Sequence, residues 1–457
     1  MMQQLLRNTA SQLDAAHSVH PHTDLRKHLD TGPLIITRGE GIHVFDESGN
    51  RYLEGAAGLW CASLGFGSAR LGEVAKKAMT DLGYYHNFRG ASTVPAAELS
   101  AKLAAFAPEG MDKILLQSSG TEANDTALKL VWYYWNAKDM PARRKIISRM
   151  GAYHGTGTLT SCLTAKANFH AGFGLPFDGF LYTAMPYHYR MAEPGESEVA
   201  FSDRLAAELE AMILAEGPET IAAFWAEPVM GSGGAITPPE GYFPKIQAVL
   251  DKYDILFVAD EVICGFARTG EMWGSQTYGI RPDMICCAKA LSAAMVPVSA
   301  VIIGERVFEA MLAQSDRFGT FVHGYTYGGH PVACAVAHEV LTIYEEMDLV
   351  GHVKSVSTGF LAGFEALRDH PLVGDARGVG LIGAAEIVAD KTTKATHEPS
   401  QKVMALFDAA ARKRGLITRL IGNRVALSPP QIITAAEVED MFDRFRGALD
   451  DVASIVK

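Results

Sequence analysis

The sequence predicts an α/β fold, with a large domain built on a mostly parallel sheet between helices and a smaller α+β domain. The deciding observation is a series of short, continuous apolar runs that alternate with amphipathic helical patterns between about residues 68 and 320. Such runs are typical of strands buried on both faces of a parallel sheet. The predicted strands are 113–116, 145–148, 221–225, 255–259, 284–288 and 298–303.

The flanking sequence predicts the second domain. A short polar helix and an irregular arm are expected up to about residue 30, and residues 34–54 alternate around a turn at 47–50, which favours a hairpin. The C-terminal part is expected to hold helices over 331–346, 350–369, 399–414 and from a capping box at 434–437, with strands over 381–388 and 424–427. We therefore expect residues 1–60 and 331–457 to share the small domain, and residues 61–330 to form the large one.

Composition limits the classes of function. The chain has 457 residues, and its formal net charge of -11 argues against nucleic acids or anionic membranes as partners. No apolar stretch is long enough to cross a bilayer. The six cysteines are scattered without a CxxC pair, which favours reduced thiols in a cytoplasmic protein. His20 and His22 indicate a metal only weakly, and a plain loop is the preferred interpretation, so we predict no metal site.

Two of the predicted strands end in residues that can carry chemistry. The run 255–259 is followed by Asp260 and the run 284–288 by Lys289, so both should emerge at the same edge of the sheet. A lysine in so apolar a setting can serve as a Schiff-base nucleophile, commonly with pyridoxal phosphate. Asp260 could then pair with the protonated pyridine nitrogen, and Val262 could pack under the ring. The alternative is a snorkelling lysine and a helix-capping acid.

The block VADEVICGFARTGEMWGSQTYGIRPDMICCAKAL, residues 258–291, resembles the signature of the class III (omega-type) aminotransferases. These are fold type I enzymes that depend on pyridoxal phosphate, and the resemblance extends from about His20 to the last helix. It implies that Asp260 binds the pyridine nitrogen and that Lys289 forms the Schiff base. Ala267 and Ala290 stand where the family usually has glycines, and the segment 292–295 replaces a more glycine-rich loop.

The resemblance also implies further contacts to the cofactor and a second subunit. Ser119, Gly120 and Thr121 open a predicted helix, where backbone amides can bind a phosphate, although a capping box from Ser119 to Glu122 is the alternative. Thr326 resembles the threonine that reaches the partner's phosphate, which implies a homodimer. The expected cofactor-binding residues are Ser119, Gly120, Thr121, Tyr153 as the stacking aromatic, His154, Glu227, Asp260, Val262, Lys289 and Thr326.

The substrate pocket is expected to be lined by aromatic residues and one arginine. The glycine-rich segment 55–67 resembles the substrate-pocket loop of the family and is expected to expose Leu59, Trp60 and Phe66. Arg419 resembles the arginine that binds a substrate carboxylate, for which a planar guanidinium is suited. An ordinary surface arginine is the alternative, and Arg424 lies nearby. The expected substrate-binding residues are Leu59, Trp60, Phe88, Tyr153 and Arg419.

The choice of substrate is inferred from Ile263 and from the GLWC segment. Branches that use 2-oxoglutarate commonly have glutamine where this chain has Ile263, and the GLWC segment 58–61 resembles the branch that uses pyruvate. The resemblance therefore implies transfer from a primary amine or omega-amino acid (a diamine, or a beta-alanine-like, taurine-like or aryl-alkyl amine) to pyruvate. A 2-oxoglutarate-using aminotransferase, an aminomutase or decarboxylase of the same family, and a non-catalytic cofactor-binding protein remain alternatives.

One further motif points to a different cofactor. The segment 378–383 satisfies the GxGxxG pattern of dinucleotide-binding folds. A strand-like run follows it where such a site needs a helix, so we do not expect a dinucleotide there.

Overall fold

The computed structural model describes residues 9–456, which form three β-sheets and the helices packed on them. The expected N-terminal polar helix falls partly before residue 9, outside the described residues. The elements of this first segment are helices α1 (Ala10–His17) and α2 (Leu25–Thr31) and strands β1 (Ile36–Glu40), β2 (His43–Asp46) and β3 (Arg51–Glu54). The hairpin prediction is confirmed by β2 and β3, and β1 adds a third antiparallel strand.

The next segment forms the central sheet and the helices that cover it. Its strands are β4 (Lys113–Gln117), β5 (Lys145–Arg149), β6 (Phe180–Thr183), β7 (Ile221–Ala226), β8 (Leu256–Asp260), β9 (Met284–Cys287) and β10 (Ser299–Ile303). Its helices are α3 (Ala57–Trp60), α4 (Ala69–Asp81), α5 (Val94–Phe106), α6 (Gly120–Ala137), α7 (Thr158–Leu163), α8 (Ala167–His170), α9 (His188–Met191), α10 (Glu198–Glu216), α11 (Tyr242–Lys252), α12 (Gly274–Thr277) and α13 (Glu305–Phe318).

The central sheet confirms the prediction of a mostly parallel sheet. Its seven strands lie in the order β4-β10-β9-β8-β7-β5-β6. Strand β10 runs in the opposite direction to the other six. All six predicted strands are present, and every residue of β7, β8 and β9 is buried. The sequence prediction missed β6, a half-exposed edge strand whose apolar run is too short to stand out.

The C-terminal segment adds a four-stranded antiparallel sheet in the order β11-β12-β15-β14. Its elements are α14 (Pro331–Glu346), α15 (Leu349–Leu367), β11 (Val373–Val379), β12 (Ile382–Ile387), α16 (Val403–Lys413), β13 (Leu416–Ile417), β14 (Arg419–Ile421), β15 (Arg424–Leu427) and α17 (Ala435–Ile455). The expected helices are present, with α16 starting four residues late because a 3-10 turn occupies 399–401. The capping box of α17 is confirmed.

Distant parts of the chain meet in the third sheet, because β13 pairs in parallel with β3, where Leu416 lies opposite Leu53. This pairing supports the proposed sharing of a small domain by the two ends of the chain. The six cysteines are all free thiols. Within residues 9–456, no helix is both long and apolar enough to cross a membrane.

The GxGxxG segment is the turn of the β11–β12 hairpin, not the strand, loop and helix of a dinucleotide site. Gly380 has a φ of +55°, and a Cβ atom there would lie 2.4 Å from the Arg268 carbonyl oxygen. The glycine therefore allows close packing of the hairpin on the loop that follows β8.

Candidate active site

A cavity of about 400 Å³ lies at the carboxyl ends of β8 and β9. This is the place where ligands bind in parallel sheets of this kind. Of the residues that the sequence singled out for the cofactor, the structure brings the following to its wall: Ser119, Gly120, Thr121, Tyr153, His154, Glu227, Asp260, Val262 and Lys289. Residues that were not among the expected cofactor contacts also line it, among them Cys61, Ser118, Asn124, Ile263 and Met295.

Lys289 stands just after β9, at the start of a 3-10 turn over Lys289–Ser292. Its backbone has a φ of +50°, a conformation that non-glycine residues adopt rarely. Burial lowers the pKa of its amine, while the negative charge of Asp260 acts in the opposite direction. The lowered pKa favours the neutral amine, which is the nucleophilic form.

Asp260 is held in one orientation by three hydrogen bonds. Its Oδ2 accepts from the Asn124 amide at 2.9 Å and lies 2.8 Å from His154 Nδ1, while its Oδ1 accepts from the backbone N–H of Val262 at 3.1 Å. The carboxylate and both of its side-chain partners are buried. A buried carboxylate fixed in this way can bind a cationic group without rearranging.

Asn124 and Trp225 are the contacts that sequence reasoning missed. Asn124 Oδ1 accepts from the indole N–H of Trp225 at 2.8 Å, so the tryptophan on β7 fixes which way the amide points toward Asp260. A signal was present in the sequence, because Asn124 lies one helical turn after Gly120 and so shares its face of α6. The sequence could not predict the contact of Asn124 with Asp260, which lies 136 residues away in the chain.

The start of α6 opens into the cavity. Ser119 caps the helix by accepting from the Glu122 N–H at 3.1 Å, but the Glu122 carboxylate accepts from Ser118 and not from Ser119, so the capping box is incomplete. The first amides of a helix have no partners within it and can bind an anion. A Cβ atom at Gly120 would lie 3.0 Å from a Val262 methyl. The glycine therefore leaves space between the start of α6 and Val262.

Tyr153 and Glu227 meet beside Asp260. Glu227 is buried at the end of β7, and its carboxylate accepts from the backbone N–H groups of Tyr153 at 3.2 Å and Gly231 at 2.9 Å. Burial raises the pKa of Glu227, and the nearby Asp260 raises it further. Glu227 thereby positions the backbone of Tyr153, whose ring lines the cavity and packs edge-on against Phe169.

Comparison with known proteins decides the family. The family model of class III aminotransferases matches residues 26–449. The chain belongs to the class III aminotransferases. It is 45% identical over 438 residues to a mitochondrial gamma aminobutyrate transaminase 1 of Solanum lycopersicum, covering 96% of this chain and 85% of the relative.

Two solved structures of transaminases are similar over nearly the whole chain. The omega transaminase of Pseudomonas jessenii in complex with PMP has a TM-score of 0.96 and 48% identity, covering 98% of this chain and 99% of that one. A structure described as a transaminase with L-Ala has a TM-score of 0.91 and 47% identity, covering 93% and 100%. The predicted fold type, enzyme class and dependence on pyridoxal phosphate are confirmed.

The cavity of this class III aminotransferase fits that cofactor. The hydroxyl of Ser118, beside the start of α6, and Nε2 of His154, beside Asp260, are buried without a hydrogen-bond partner in the described chain, and both residues line the cavity. Buried polar atoms without partners are costly, so their presence indicates a polar ligand. Lys289 is suited to the aldehyde of the cofactor, Asp260 to its ring nitrogen, and the first amides of α6 to its phosphate.

Three residues expected to contact the substrate, and Thr326, lie outside the cavity wall. Leu59 and Phe88 are 57% and 41% exposed, and Thr326 and Arg419 are also exposed. In the described chain, none of these four side chains belongs to the cavity wall. Their roles stay predictions, and Thr326 was expected to act on the site of a partner subunit.

The expected exposure of Trp60 is wrong. Its side chain is only 5% exposed, and it belongs to an apolar cluster with Val229, Ile263 and Cys264. The backbone explains the difference, because the segment forms the kinked turn α3, where Trp60 has a φ of +67° and points inward. Trp60 thus supports Ile263, which does line the cavity.

The two candidate arginines of this class III aminotransferase differ in their partners. Arg424 is tied to the Glu386 carboxylate at 3.0 Å and donates to the Gly233 carbonyl, so it is part of the packing between domains. Arg419 is exposed at the start of β14. Within residues 9–456, no hydrogen bond or ion pair holds its guanidinium, which is therefore available.

Three alanines in the segments where the family is richer in glycine have left-handed backbone conformations. Ala267, Ala293 and Ala294 have φ values of +70°, +48° and +66°. Glycine adopts such angles without cost, whereas other residues lose about 1–2 kcal/mol. Ala290 is not in the left-handed region, so its replacement of a glycine carries no such strain.

Proposed function

We propose that this class III aminotransferase moves an amino group from a primary amine or omega-amino acid to pyruvate. The proposal rests on the pair of Lys289 and Asp260. Both line one cavity, where Asp260 has a fixed orientation and Lys289 has a reactive amine. Asp260 is fixed by three hydrogen bonds, whereas the Lys289 amine has a pKa lowered by burial. A fixed acid and a reactive amine are the two groups that amino transfer with this cofactor requires.

Each group has a distinct task. Bound pyridoxal phosphate supplies an electron sink that lets the bond between the substrate carbon and its hydrogen break. Lys289 would hold the cofactor at rest, and its Nζ would then serve as the base and acid for the proton of the substrate carbon. Asp260 would hold the proton of the pyridine nitrogen, and Tyr153 and Val262 would pack against the ring. Ser119, Gly120 and Thr121 would bind the phosphate.

The expected acceptor follows from the charges at the mouth of the cavity. Pyruvate has one carboxylate, which Arg419 would bind through its guanidinium. 2-Oxoglutarate has a second carboxylate, and the nearby cations are less suited to it: Arg424 is paired with Glu386, and burial lowers the pKa of Lys166 to about 8 while Ser232 binds its amine. Ile263 adds only apolar surface to the wall. The L-Ala complex of a solved relative is consistent with alanine and pyruvate as one pair.

The expected donor is either an amino acid whose amine lies far from its carboxylate or an amine that has no carboxylate. The name of the tomato relative, a gamma aminobutyrate transaminase, supports an omega-amino acid. Diamines, beta-alanine-like, taurine-like and aryl-alkyl amines share the same terminal amine and remain within the proposal. Leu59, Phe88 and Tyr153 would contact the apolar part of such a donor, and Trp60 would support that wall from behind Ile263.

The proposal includes a homodimer and a cytoplasmic location. Leu59, Phe88 and Thr326 are exposed in one chain, and large exposed apolar residues near an incomplete site favour coverage by a second copy. The free cysteines are consistent with a reducing compartment, although a relative is mitochondrial by name.

The test is the visible absorption of the cofactor-loaded enzyme during titration with L-alanine. We expect the absorption of the resting enzyme to fall and to return when pyruvate is added, with a slower return for 2-oxoglutarate at the same concentration. Lys289→Ala is the control and should respond to neither. A faster return with 2-oxoglutarate would contradict the acceptor, and a new product without any keto acid would favour the aminomutase or decarboxylase alternative.

A further inference from the structure

The N-terminal arm brings together three metal-ligating side chains away from the catalytic cavity. Asp14 lies on α1, His28 lies on α2, and His20 lies in the loop between them. One ligand atom of each residue lies within 4.8 Å of the other two, and within residues 9–456 this is the one such group of three. The catalytic function does not involve any of them.

The distances are close to those of a tetrahedral metal site. Asp14 Oδ1 lies 2.7 Å from His20 Nε2 and 3.6 Å from His28 Nε2. Two ligands of a tetrahedral zinc ion, each about 2.0–2.1 Å from the metal, are about 3.3 Å apart. The two histidine nitrogens lie no more than 4.8 Å apart, so small side-chain rotations would bring all three atoms around one ion.

A second observation points to a ligand. The side chain of His28 is only 10% exposed, and its Nε2 is buried without a hydrogen-bond partner in the described chain, because 3.6 Å to Asp14 is too long. The ring also packs against that of His20, with 4.3 Å between their centroids. A buried nitrogen without a partner costs about 1–3 kcal/mol, which a bound cation would offset.

We propose that Asp14, His20 and His28 bind one divalent transition-metal ion of the zinc type, with water as the fourth ligand. Two imidazoles and one carboxylate are the donors that zinc prefers, whereas calcium and magnesium require mainly oxygen. The ion would join α1, the following loop and α2, which are otherwise short helices without buried residues. Its role would be to order the arm.

An ordered arm would reach the flank of the catalytic cavity. His22, two residues after His20, packs on Phe169 with 5.1 Å between ring centroids. Phe169 packs on Tyr153 with 5.6 Å between centroids, and Tyr153 lines the cavity. Metal binding would thus hold the outer wall of the substrate entrance in place.

The test is competition for Zn²⁺ between a chromogenic chelator and the untagged, cofactor-loaded enzyme. We expect one ion per chain at this site. Asp14→Asn and His28→Ala should each weaken that binding by at least about tenfold, because a ligand is lost. His22→Ala is the matched control, since it removes an imidazole from the same arm outside the group, and it should bind within about twofold of wild type.

Trypsin provides a second readout that does not depend on activity. Zn²⁺ should slow cleavage after Arg26 and Lys27 on α2 in wild type and His22→Ala, and should not change it in His28→Ala. Cleavage rates without Zn²⁺ show whether a substitution alone disorders the arm. Equal Zn²⁺ affinity in wild type and His28→Ala, or protection that persists in His28→Ala, would overturn the proposal in favour of a plain hydrogen bond between His20 and Asp14.

Discussion

The floor and the rim of the cavity are built in different ways. The floor, which we define as Lys289, Asp260, Asn124 and His154, stands at strand ends and a helix start of one sheet, with side-chain hydrogen bonds that fix Asp260. The rim, defined as Leu59, Phe88, Thr326 and Arg419, is exposed. In the proposed homodimer, one chain would supply the chemistry, whereas loops and the second chain would complete the contacts to substrate and phosphate.

The largest expected effect tests whether the rim comes from a partner. Lys289→Ala and Thr326→Asp should each lose at least about 10³-fold in activity, the first through the nucleophile and the second through repulsion of the phosphate. Mixed and reassociated, the two variants should recover roughly a quarter of wild-type activity, because half of the dimers regain one intact site. Activity that does not recover in proven mixed dimers would assign both residues to one chain's site.

The next test compares Asp260 of the floor with the acid that follows it in the chain, Glu261. Asp260→Asn should lower kcat by about 10²–10³-fold, because the pyridine nitrogen loses its anionic partner. Glu261→Gln is the matched control, since Glu261 is equally buried but caps α12 through the N–H groups of Gly274 and Ser275. Its kcat should stay within a few fold of wild type. Equal losses in both variants would show that burial of an acid, and not its position, matters.

Arg419→Leu tests the rim. We expect KM for pyruvate to rise by about 10–100-fold, because a charge-assisted carboxylate contact is lost, with little change in the reaction of an amine without a carboxylate. Arg424→Leu should instead lower stability. Against the effect of burial, Tyr187 and Arg424 together lower the pKa of the Glu386 carboxylate to about 2, and the substitution removes one of these partners. A rise in KM for both kinds of substrate would contradict a carboxylate-specific role of Arg419.

The pH dependence of stability tests the burial of Glu261, which follows Asp260 of the floor in the chain. Burial raises the pKa of Glu261 to about 7, from 4.5, although the backbone donors of α12 oppose the shift. Because the folded protein holds this proton more tightly, stability should fall as pH rises from about 4.5 to 7. Relative to Glu261→Gln, wild type should lose on the order of 2 kcal/mol across that range in denaturant unfolding. A constant difference would mean that Glu261 does not titrate there.

The smallest effect concerns the alanines beside the floor. Ala267→Gly should relieve a left-handed backbone, whereas Ala290→Gly removes a similarly buried methyl without such relief. We expect the first variant to be more stable than the second by about 1–2 kcal/mol in thermal unfolding. Equal stabilities would indicate that the loop adjusts without strain.

The sequence was sufficient for the floor and insufficient for the rim, for a physical reason. Apolar strands deliver Asp260 and Lys289 to a sheet edge whatever the loops do, so periodicity and strand ends predict their meeting. The burial of Trp60 and the exposure of Arg419 depend on packing between segments hundreds of residues apart. Asn124 shows the limit within the floor, because its face of α6 could be predicted and its contact with Asp260 could not.

The pairing of β3 with β13 has a consequence for synthesis of the chain. About 360 residues separate Leu53 from its neighbour Leu416, and at 5–20 residues per second a ribosome needs roughly 20 to 70 s to span them. Until then the outer edge of β3 has no strand beside it, and an unpaired edge invites wrong partners. The central sheet can assemble first, so the small domain closes as one of the last events of folding.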